Sequence, residues 1–372
     1  MGSKEIFVVT GEKSGDLNAS GIIQNLKGMT DNLKVTAIGG DNLKKAGAEV
    51  IINYSEVNFI GFYSVVKNYF HIKSIMDKCI GYIRDNNPDV VLLVDFPGFN
   101  ISFASKIRKF YKGKIIYYIL PQLWAWHKSR IKKLKKYFDE LLVVFPFEIE
   151  FYKRENLRVH YVGHPFCNRL TKLKESFGEK KSGTGSIVLM PGSRQEEFDK
   201  IYPTIIKAVS DIRKDTEISC TLIKTDNIII RSTDIPDYIR IVSPETDEEK
   251  YRIIYNSDLV ITKIGTASFE CAILGTPFMP VYKASAVNYF IGKKMANIKF
   301  MTMINIIADK MIVKEFIQND FTRENIFNEA MKILKDSIYR RKILDDINKA
   351  LAVFSKTEIA RTPEEIVMEC LK

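Results

Sequence analysis

The chain has 372 residues, 46% of them hydrophobic and 27% charged, with a formal net charge of +11, which predicts a globular protein of two or three domains with ample apolar cores. Five cysteines, at 79, 167, 220, 271 and 370, form no C-x-x-C pair and no ligand spacing with the four histidines, so neither a disulfide framework nor a zinc site is indicated and a reducing cytoplasm fits. No apolar run approaches the roughly 18 residues of a membrane span and the opening MGSKEIFVVTGE enters a strand at once, so a soluble or peripheral protein is expected. The positive balance invites an anionic partner, whether nucleic acid, acidic lipid or phosphorylated substrate, although a general lysine bias raises charge without selecting one.

Glu5 to Thr10 reads as a buried strand, and Gly11-Glu12-Lys13-Ser14-Gly15-Asp16 turns from it directly into a helix. That loop has neither G-x-G-x-x-G spacing nor a Walker lysine, so neither NAD nor ATP is supported. A strand from Lys34 to Ile38 closes at Gly39-Gly40-Asp41. Between Phe59 and Ile83 the chain holds more apolar side chains than one helix face needs, Phe62, Val66, Tyr69 and Phe70 among them; core packing and a lipid-facing patch both fit. Asp89 to Val94 is the most strand-like run, and it ends at Asp95-Phe96-Pro97-Gly98-Phe99-Asn100. At the carboxyl end of a central parallel strand, Asp95 is placed to act as a general base, or else to cap the turn into a helix after Asn100. Lys114 to Leu120 is a further strand, followed by a Pro-broken loop with both tryptophans, Trp124 and Trp126. Lys128, Arg130, Lys132, Lys133, Lys135 and Lys136 come next on a helical pattern, as a solvated face or a surface for lipid phosphates. A strand from Glu140 to Phe145 and a helix from Pro146 complete this half.

Periodicity is lost between residues 162 and 186, which places a domain boundary there. A second strand-loop-helix series opens with Ser186 to Met190 and turns at Pro191-Gly192-Ser193-Arg194, a loop suited to phosphate and carrying a guanidinium. Strands near Ile218 to Lys224 and Ile239 to Val242 lead to a complete βαβ unit: strand Leu259 to Thr262, a loop ending at Gly265, a helix of nine residues, and strand Phe278 to Tyr282. The N–H groups of Thr266, Ala267 and Ser268 read as unpaired and outward-facing, with the positive end of the helix dipole behind them, a place for an anion and most simply a diphosphate. Glu270, about one turn on, is placed to accept two ribose hydroxyls, although an ordinary βαβ unit with a solvated glutamate has the same pattern. A loop at Met301 to Asn305, a helix from Lys310 to Gln318 and amphipathic helices to the end follow. No two aspartates stand two residues apart, so the D-x-D pair that holds Mg²⁺ or Mn²⁺ on a sugar nucleotide is missing, and neither a metal nor another cofactor is expected.

Five blocks in fixed order go beyond pattern: GEKSGD at 11–16, VDFPGFN at 94–100, PQLWAW with its basic helix at 121–136, PGSR at 191–194 and GTASFECAILGTP at 265–277. Together with Phe145-Pro146-Phe147-Glu148 and Gly163-His164-Pro165 they resemble the lipid A disaccharide synthase family of glycosyltransferases over nearly the whole chain. The resemblance implies an α/β fold of two Rossmann-like domains facing across a cleft, of the GT-B type: residues 1–170 for the acceptor and membrane, 186–340 for the UDP-sugar, and a helical tail, 341–372, returning to the first. It implies inverting transfer of 2,3-diacylglucosamine from UDP-2,3-diacylglucosamine to the 6-hydroxyl of 2,3-diacylglucosamine 1-phosphate, at the inner face of the cytoplasmic membrane, by a monomer or homodimer with no nucleic-acid partner. By the same resemblance Asp95 is the general base, and Gly192, Ser193, Arg194, Gly265, Thr266, Ala267, Glu270 and Asn305 contact the donor. Gly11, Ser14, Gly15, Asp16, Gln122 and Trp124 fall to the acceptor, and Phe62, Val66, Tyr69 and Phe70 to the membrane. Lys263-Ile264 departs from the small Ala-Ser of the family, crowding the diphosphate or adding a cation; Asp309-Lys310 replaces Gly-Arg, and Met303-Ile304 replaces Leu-Pro. Another two-domain UDP-sugar enzyme, such as the lipid-linked N-acetylglucosaminyltransferase of cell-wall synthesis, is the nearest alternative, and explains the aromatic loop less well. A basic nucleic-acid-binding protein is the alternative from another class, without an RNA-recognition, helix-turn-helix or zinc-finger pattern to carry it.

Overall fold

Strands that are apolar on both faces and separated by helices can be satisfied only as parallel sheets covered on two sides. The computed structural model describes residues 4–56, 69–124, 130–180, 183, 185–225, 228–231, 235–284 and 299–372, and there the chain builds two such sheets. It divides into two compact units, Met1–Pro165 with Thr357–Lys372, and Phe166–Lys356.

In the first unit β1 (Lys4–Val9), β2 (Leu33–Gly39), β3 (Glu49–Asn53), β4 (Val90–Val94), β5 (Lys114–Tyr118), β6 (Glu140–Val143) and β7 (His160–Tyr161) lie in the order β3-β2-β1-β4-β5-β6-β7. Every pairing is parallel. Ile6 to Val9 and Val90 to Val94 are all fully buried, which is why these runs show no polar alternation. The intervening helices are α1 (Lys13–Met29), α2 (Asp41–Lys45), α3 (Tyr69–Asn86), α4 (Pro97–Ile107), α5 (Ile131–Tyr137) and α6 (Phe147–Arg154). Phe7, Phe103, Tyr111 and Tyr117 anchor the core on one face.

The second unit begins within α7 (Pro165–Glu175) and contains β8 (Ser186–Met190), α8 (Gln195–Asp215), β9 (Ser219–Ile223), β10 (Ile239–Val242), α9 (Asp247–Tyr255), β11 (Leu259–Lys263), α10 (Thr266–Leu274) and β12 (Phe278–Tyr282). It continues through α11 (Met303–Ala308), β13 (Phe316–Ile317), α12 (Arg323–Lys335) and α13 (Ser337–Lys356), and its all-parallel sheet has the order β10-β9-β8-β11-β12-β13. The last helix, α14 (Pro363–Cys370), packs on α1 and β5 of the first unit, burying Ile366, Val367 and Leu371. A capping box starts it: the Thr362 hydroxyl accepts from the Glu365 N–H, and the Glu365 carboxylate accepts from the Thr362 N–H. Among the described residues no helix is long and apolar enough to cross a membrane.

Three local expectations are corrected. The helix after Asp95 begins at Pro97, which needs no N–H in a first turn, and not beyond Asn100; Asn100 instead turns its amide onto the Asp95 carbonyl at 2.7 Å. The stretch after residue 162 contains α7, whose buried Cys167 and Leu170 are too few to give a visible period. The helix expected over 310–318 is absent, and α11 lies where a loop was expected, because Phe316 and Ile317 pair in parallel with Val281 and Tyr282 as an edge strand.

Asp16 shows how tightly the first unit is tied. Its fully buried carboxylate accepts from the Gly40 N–H at 2.6 Å, the Asn42 N–H at 3.0 Å and the Asn42 amide at 2.9 Å, so it serves α2 as a cap supplied from another helix. Asp16→Ala strands these buried donors, and its expected effect is destabilisation by about 2–4 kcal/mol, read from urea unfolding; a loss under about 0.5 kcal/mol would contradict this role.

Candidate active site

In an open parallel sheet, helices leaving two neighbouring central strands toward opposite faces open a crevice beyond the strand ends. The first sheet reverses its order between β1 and β4, and the loops there are Gly11 to Asp16 and Asp95 to Asn100. Asp95 and Phe96 both adopt left-handed backbone angles, φ 48° each, a conformation that disfavours side chains and is held by the Asp95 N–H bond to the Tyr118 carbonyl at 2.9 Å. Phe96 stacks on Phe99 at 5.3 Å and lies over Gly11, where any Cβ would come within 2.3 Å of its ring. Gly11 is therefore required by close approach. Burial, and then the Glu12 carboxylate, push the Asp95 carboxyl up to about 6, against the pull of the Phe96 N–H. Ser14 donates its hydroxyl to Glu12 at 2.5 Å, while Gly15 and Asp16 are buried within α1. Asp16 is thus spent on α2, and Glu12, which composition and pattern did not single out, is the second acid facing Asp95.

Further along the same edge, Gln122 is exposed and Trp124 is partly buried. The Trp124 indole N–H donates to Glu148 at 3.2 Å, and the other Glu148 oxygen accepts from the Phe145 N–H at 3.1 Å. Burial pushes this carboxyl up to about 7 in spite of both donors. Trp124 meets Phe147 edge to face at 5.1 Å, Phe147 stacks on Phe145, and Phe145 lies 4.9 Å from His164, so three loops join in one aromatic cluster. Below them α5 buries Ile131 and Leu134 and exposes Lys132, Lys133, Lys135 and Lys136. Of the four residues expected at a membrane, Tyr69 and Phe70 are 57% and 82% exposed at the start of α3, whereas Phe62 and Val66, like Trp126 and Lys128, lie outside the described residues. Ile75, Met76, Cys79 and Ile83 turn inward as core.

The second sheet reverses between β8 and β11, and there the loops are Gly192 to Arg194 and Lys263 to Thr266. Arg194 donates to Glu197 Oε1 at 2.9 Å, and Lys263 reaches the same oxygen at 2.8 Å. Burial pushes Glu197 up, but the Lys263 and Arg194 contacts outweigh it and hold the carboxyl below its ordinary value. Gly192, φ 138°, lets Glu197 fold back, since a Cβ there would stand 2.8 Å from the Glu197 Cβ. Gly265, φ 155°, has open space where a Cβ would be. The Ser268 N–H is not free as expected; it donates to the Gly265 carbonyl at 3.2 Å, which leaves the first-turn amides of Thr266 and Ala267 at the open end of α10.

Glu270 and Asn305 are both buried and tied to protein partners. Glu270 is 5% exposed, not solvated, and accepts from Lys250 at 3.1 Å and Tyr251 at 3.0 Å. Burial would lower the Lys250 ammonium, but the Glu270 charge outweighs it and raises it above its ordinary value. Asn305 is fully buried: its amide donates to the Val313 carbonyl at 2.8 Å and to Glu315 at 2.9 Å, and its oxygen accepts from the Ile312 and Val313 N–H groups. With two donors and two acceptor positions used, its side chain fixes the loop of residues 309–315 and has no group left for a ligand. Among the described residues no three of His, Cys, Asp and Glu come together as metal ligands would.

A family model described as lipid-A-disaccharide synthetase matches residues 6–369. A lipid-A-disaccharide synthase of Coxiella burnetii is 30% identical over 378 residues, covering 99% of this chain and 98% of that protein. One of Persephonella marina is 31% identical over 382 residues, covering 98% and 99%. Among solved structures, the calicheamicin glycosyltransferase CalG4 aligns with a TM-score of 0.61 at 14% identity, over 100% of this chain and 99% of that one, a likeness that carries the GT-B fold alone.

The raised Asp95 carboxyl has a consequence for stability. Its folded-state value exceeds the ordinary 3.8, so the stabilisation it gives is full below about pH 4 and is lost as pH rises through about 6. Asp95→Asn, which also tolerates the left-handed backbone, is expected to raise stability at pH 7.5 by about 1 kcal/mol, or roughly 2–4 °C in Tm, with the difference vanishing toward pH 4. Thermal melts across that range check it; a variant less stable at pH 7.5 would show that Asp95 is held by attraction and not by burial.

Proposed function

Because this chain belongs to the lipid-A-disaccharide synthetase family and is a GT-B glycosyltransferase, we propose that it transfers 2,3-diacylglucosamine from UDP-2,3-diacylglucosamine to the 6-hydroxyl of 2,3-diacylglucosamine 1-phosphate, releasing UDP. What supports this most is that the family match runs through both order reversals, with a buried acid at one and paired cations at the other. Asp95 accepts the proton of the attacking hydroxyl as the new bond forms at the anomeric carbon; a carboxyl raised to about 6 is a stronger base than an ordinary one and is still ionised at neutral pH. Attack from the face opposite UDP inverts that carbon. The bond to UDP breaks with its electron pair, and the charge gathering on the diphosphate meets Arg194 and the Thr266 and Ala267 amides. Gly192, Ser193 and Gly265 keep the backbone close to that anion, and Glu270 orients the ribose through the Lys250 and Tyr251 network. Asn305 acts through the loop it fixes. Gly11, Ser14, Gly15, Gln122 and Trp124 line the acceptor side of the first unit, and Asp16 sets the shape of that side from within. The enzyme works at the inner face of the cytoplasmic membrane, where Tyr69, Phe70, Phe62 and Val66 enter the lipid and the lysines of α5 meet anionic headgroups.

The test is to supply both acylated sugars and follow UDP release together with disaccharide 1-phosphate formation. Activity is expected to survive excess EDTA, because the groups assigned to the diphosphate are cations and amides that repel a divalent ion. A loss that Mg²⁺ restores would undo that assignment, and transfer from UDP-N-acetylglucosamine in place of the acylated donor would favour a cell-wall type of enzyme. Asp95→Asn is expected to slow turnover by about 10²- to 10⁴-fold, and the wild-type rate to climb as pH rises through about 6. For the membrane, sedimentation with anionic vesicles should fall when Phe62, Val66, Tyr69 and Phe70 become serine, and the remaining binding should be released by salt; unchanged binding by the four-fold variant would overturn the membrane role of these four side chains.

A further inference from the structure

Lys263 ends β11 one strand away from the loop that carries Arg194, with Thr262 paired to Met190 in the register of the two central strands. Its ammonium and the Arg194 guanidinium approach one oxygen of Glu197, at 2.8 and 2.9 Å, which puts the two cations within about 6 Å of each other. The second Glu197 oxygen is buried and has no partner among the described residues, so the carboxylate meets both cations through a single atom. One negative charge then faces two positive ones, and the excess stands next in the chain to Gly265, with open space where its Cβ would be, and to the first turn of α10. An Arg194–Glu197 pair alone would neutralise this corner; the added lysine makes it a place that lacks an anion. Lys263 is 22% and Arg194 47% exposed at the side chain, so both heads are reachable from solvent.

We propose that Lys263 is a second cationic contact for the diphosphate of the donor, held ready beside Arg194 by Glu197, which gives up part of its hold when the nucleotide enters. This deepens the UDP-sugar reading and rests on it. On binding, the diphosphate supplies the two charges that Glu197 can only half supply, and the same pair meets the growing charge as UDP departs. Lys263 therefore discriminates by phosphate number: uridine gains nothing from it, UMP little, UDP most.

The experiment is titration calorimetry on the full chain with UDP, UMP and uridine. Lys263→Met is expected to weaken UDP about tenfold or more and flatten its salt dependence, while uridine affinity stays at the wild-type value and Lys263→Arg recovers most of the loss. Glu197→Gln, which frees both cations, is expected to tighten UDP several-fold, giving a change of opposite sign that no folding defect produces. Equal UDP affinity in wild type and Lys263→Met overturns the proposal, as does a parallel loss of UDP and uridine, which would mark Lys263 as part of the scaffold. If wild-type protein binds none of the three nucleotides, the donor assignment itself fails and this inference with it.

Discussion

The candidate loops of each unit are organised around the reversal of strand order at the middle of its sheet. A right-handed crossover places each helix on one face, so two adjacent strands whose chains leave in opposite directions cannot both have their ends covered. That geometric gap falls between β1 and β4 in one unit and between β8 and β11 in the other. Three of these four strand ends carry unusual backbone angles or charge: Asp95 and Phe96 in left-handed conformation, Gly192 and Gly265 at positive φ, and Arg194 and Lys263 around one carboxylate. Elsewhere the same strands are ordinary buried aliphatic runs.

The two gaps have opposite electrostatic character. In the first unit burial dominates and carboxyls rise, Asp95 to about 6 and Glu148 to about 7, so protons are held loosely near neutrality. In the second, cations dominate and Glu197 is depressed. One edge is suited to exchanging a proton and the other to holding an anion, from the same strand-loop-helix unit used twice with different residues at its turn. The left-handed backbone at Asp95 and Phe96 is a local cost that the surrounding contacts hold in place.

How much of this was legible depended on range. Ser186–Met190, Ile239–Val242 and Phe278–Tyr282 coincide with the strands read from the sequence, because continuous apolar runs bounded by turns are local signals. β3, β7 and β13 were not legible: they are short edge strands, and only pairing with a distant neighbour, such as Tyr282 for Ile317, defines them. The site divided the same way. Asp95, Arg194 and Gly265 could be read as candidates from their place after a strand, but the contacts of Glu270 are set by Lys250 and Tyr251, those of Asn305 by Glu315 and Val313, and those of Asp16 by Gly40 and Asn42. Glu12, Glu148 and Glu197 were not singled out as site residues because an acid among many carries no pattern of its own; the cue was their position three to seven residues past a strand.

The return of α14 to α1 and β5 means that the first unit is written in two pieces with the whole of the second between them. During synthesis the sheet of the first unit can assemble early, yet the patch that receives Ile366, Val367 and Leu371 stays uncovered until the second unit has left the ribosome. The second unit, continuous in the chain, has no such wait. Maturation of the first unit is therefore tied to completion of the second, and a truncated product lacking only its last turns would have a finished second unit but a first one with a sticky apolar scar.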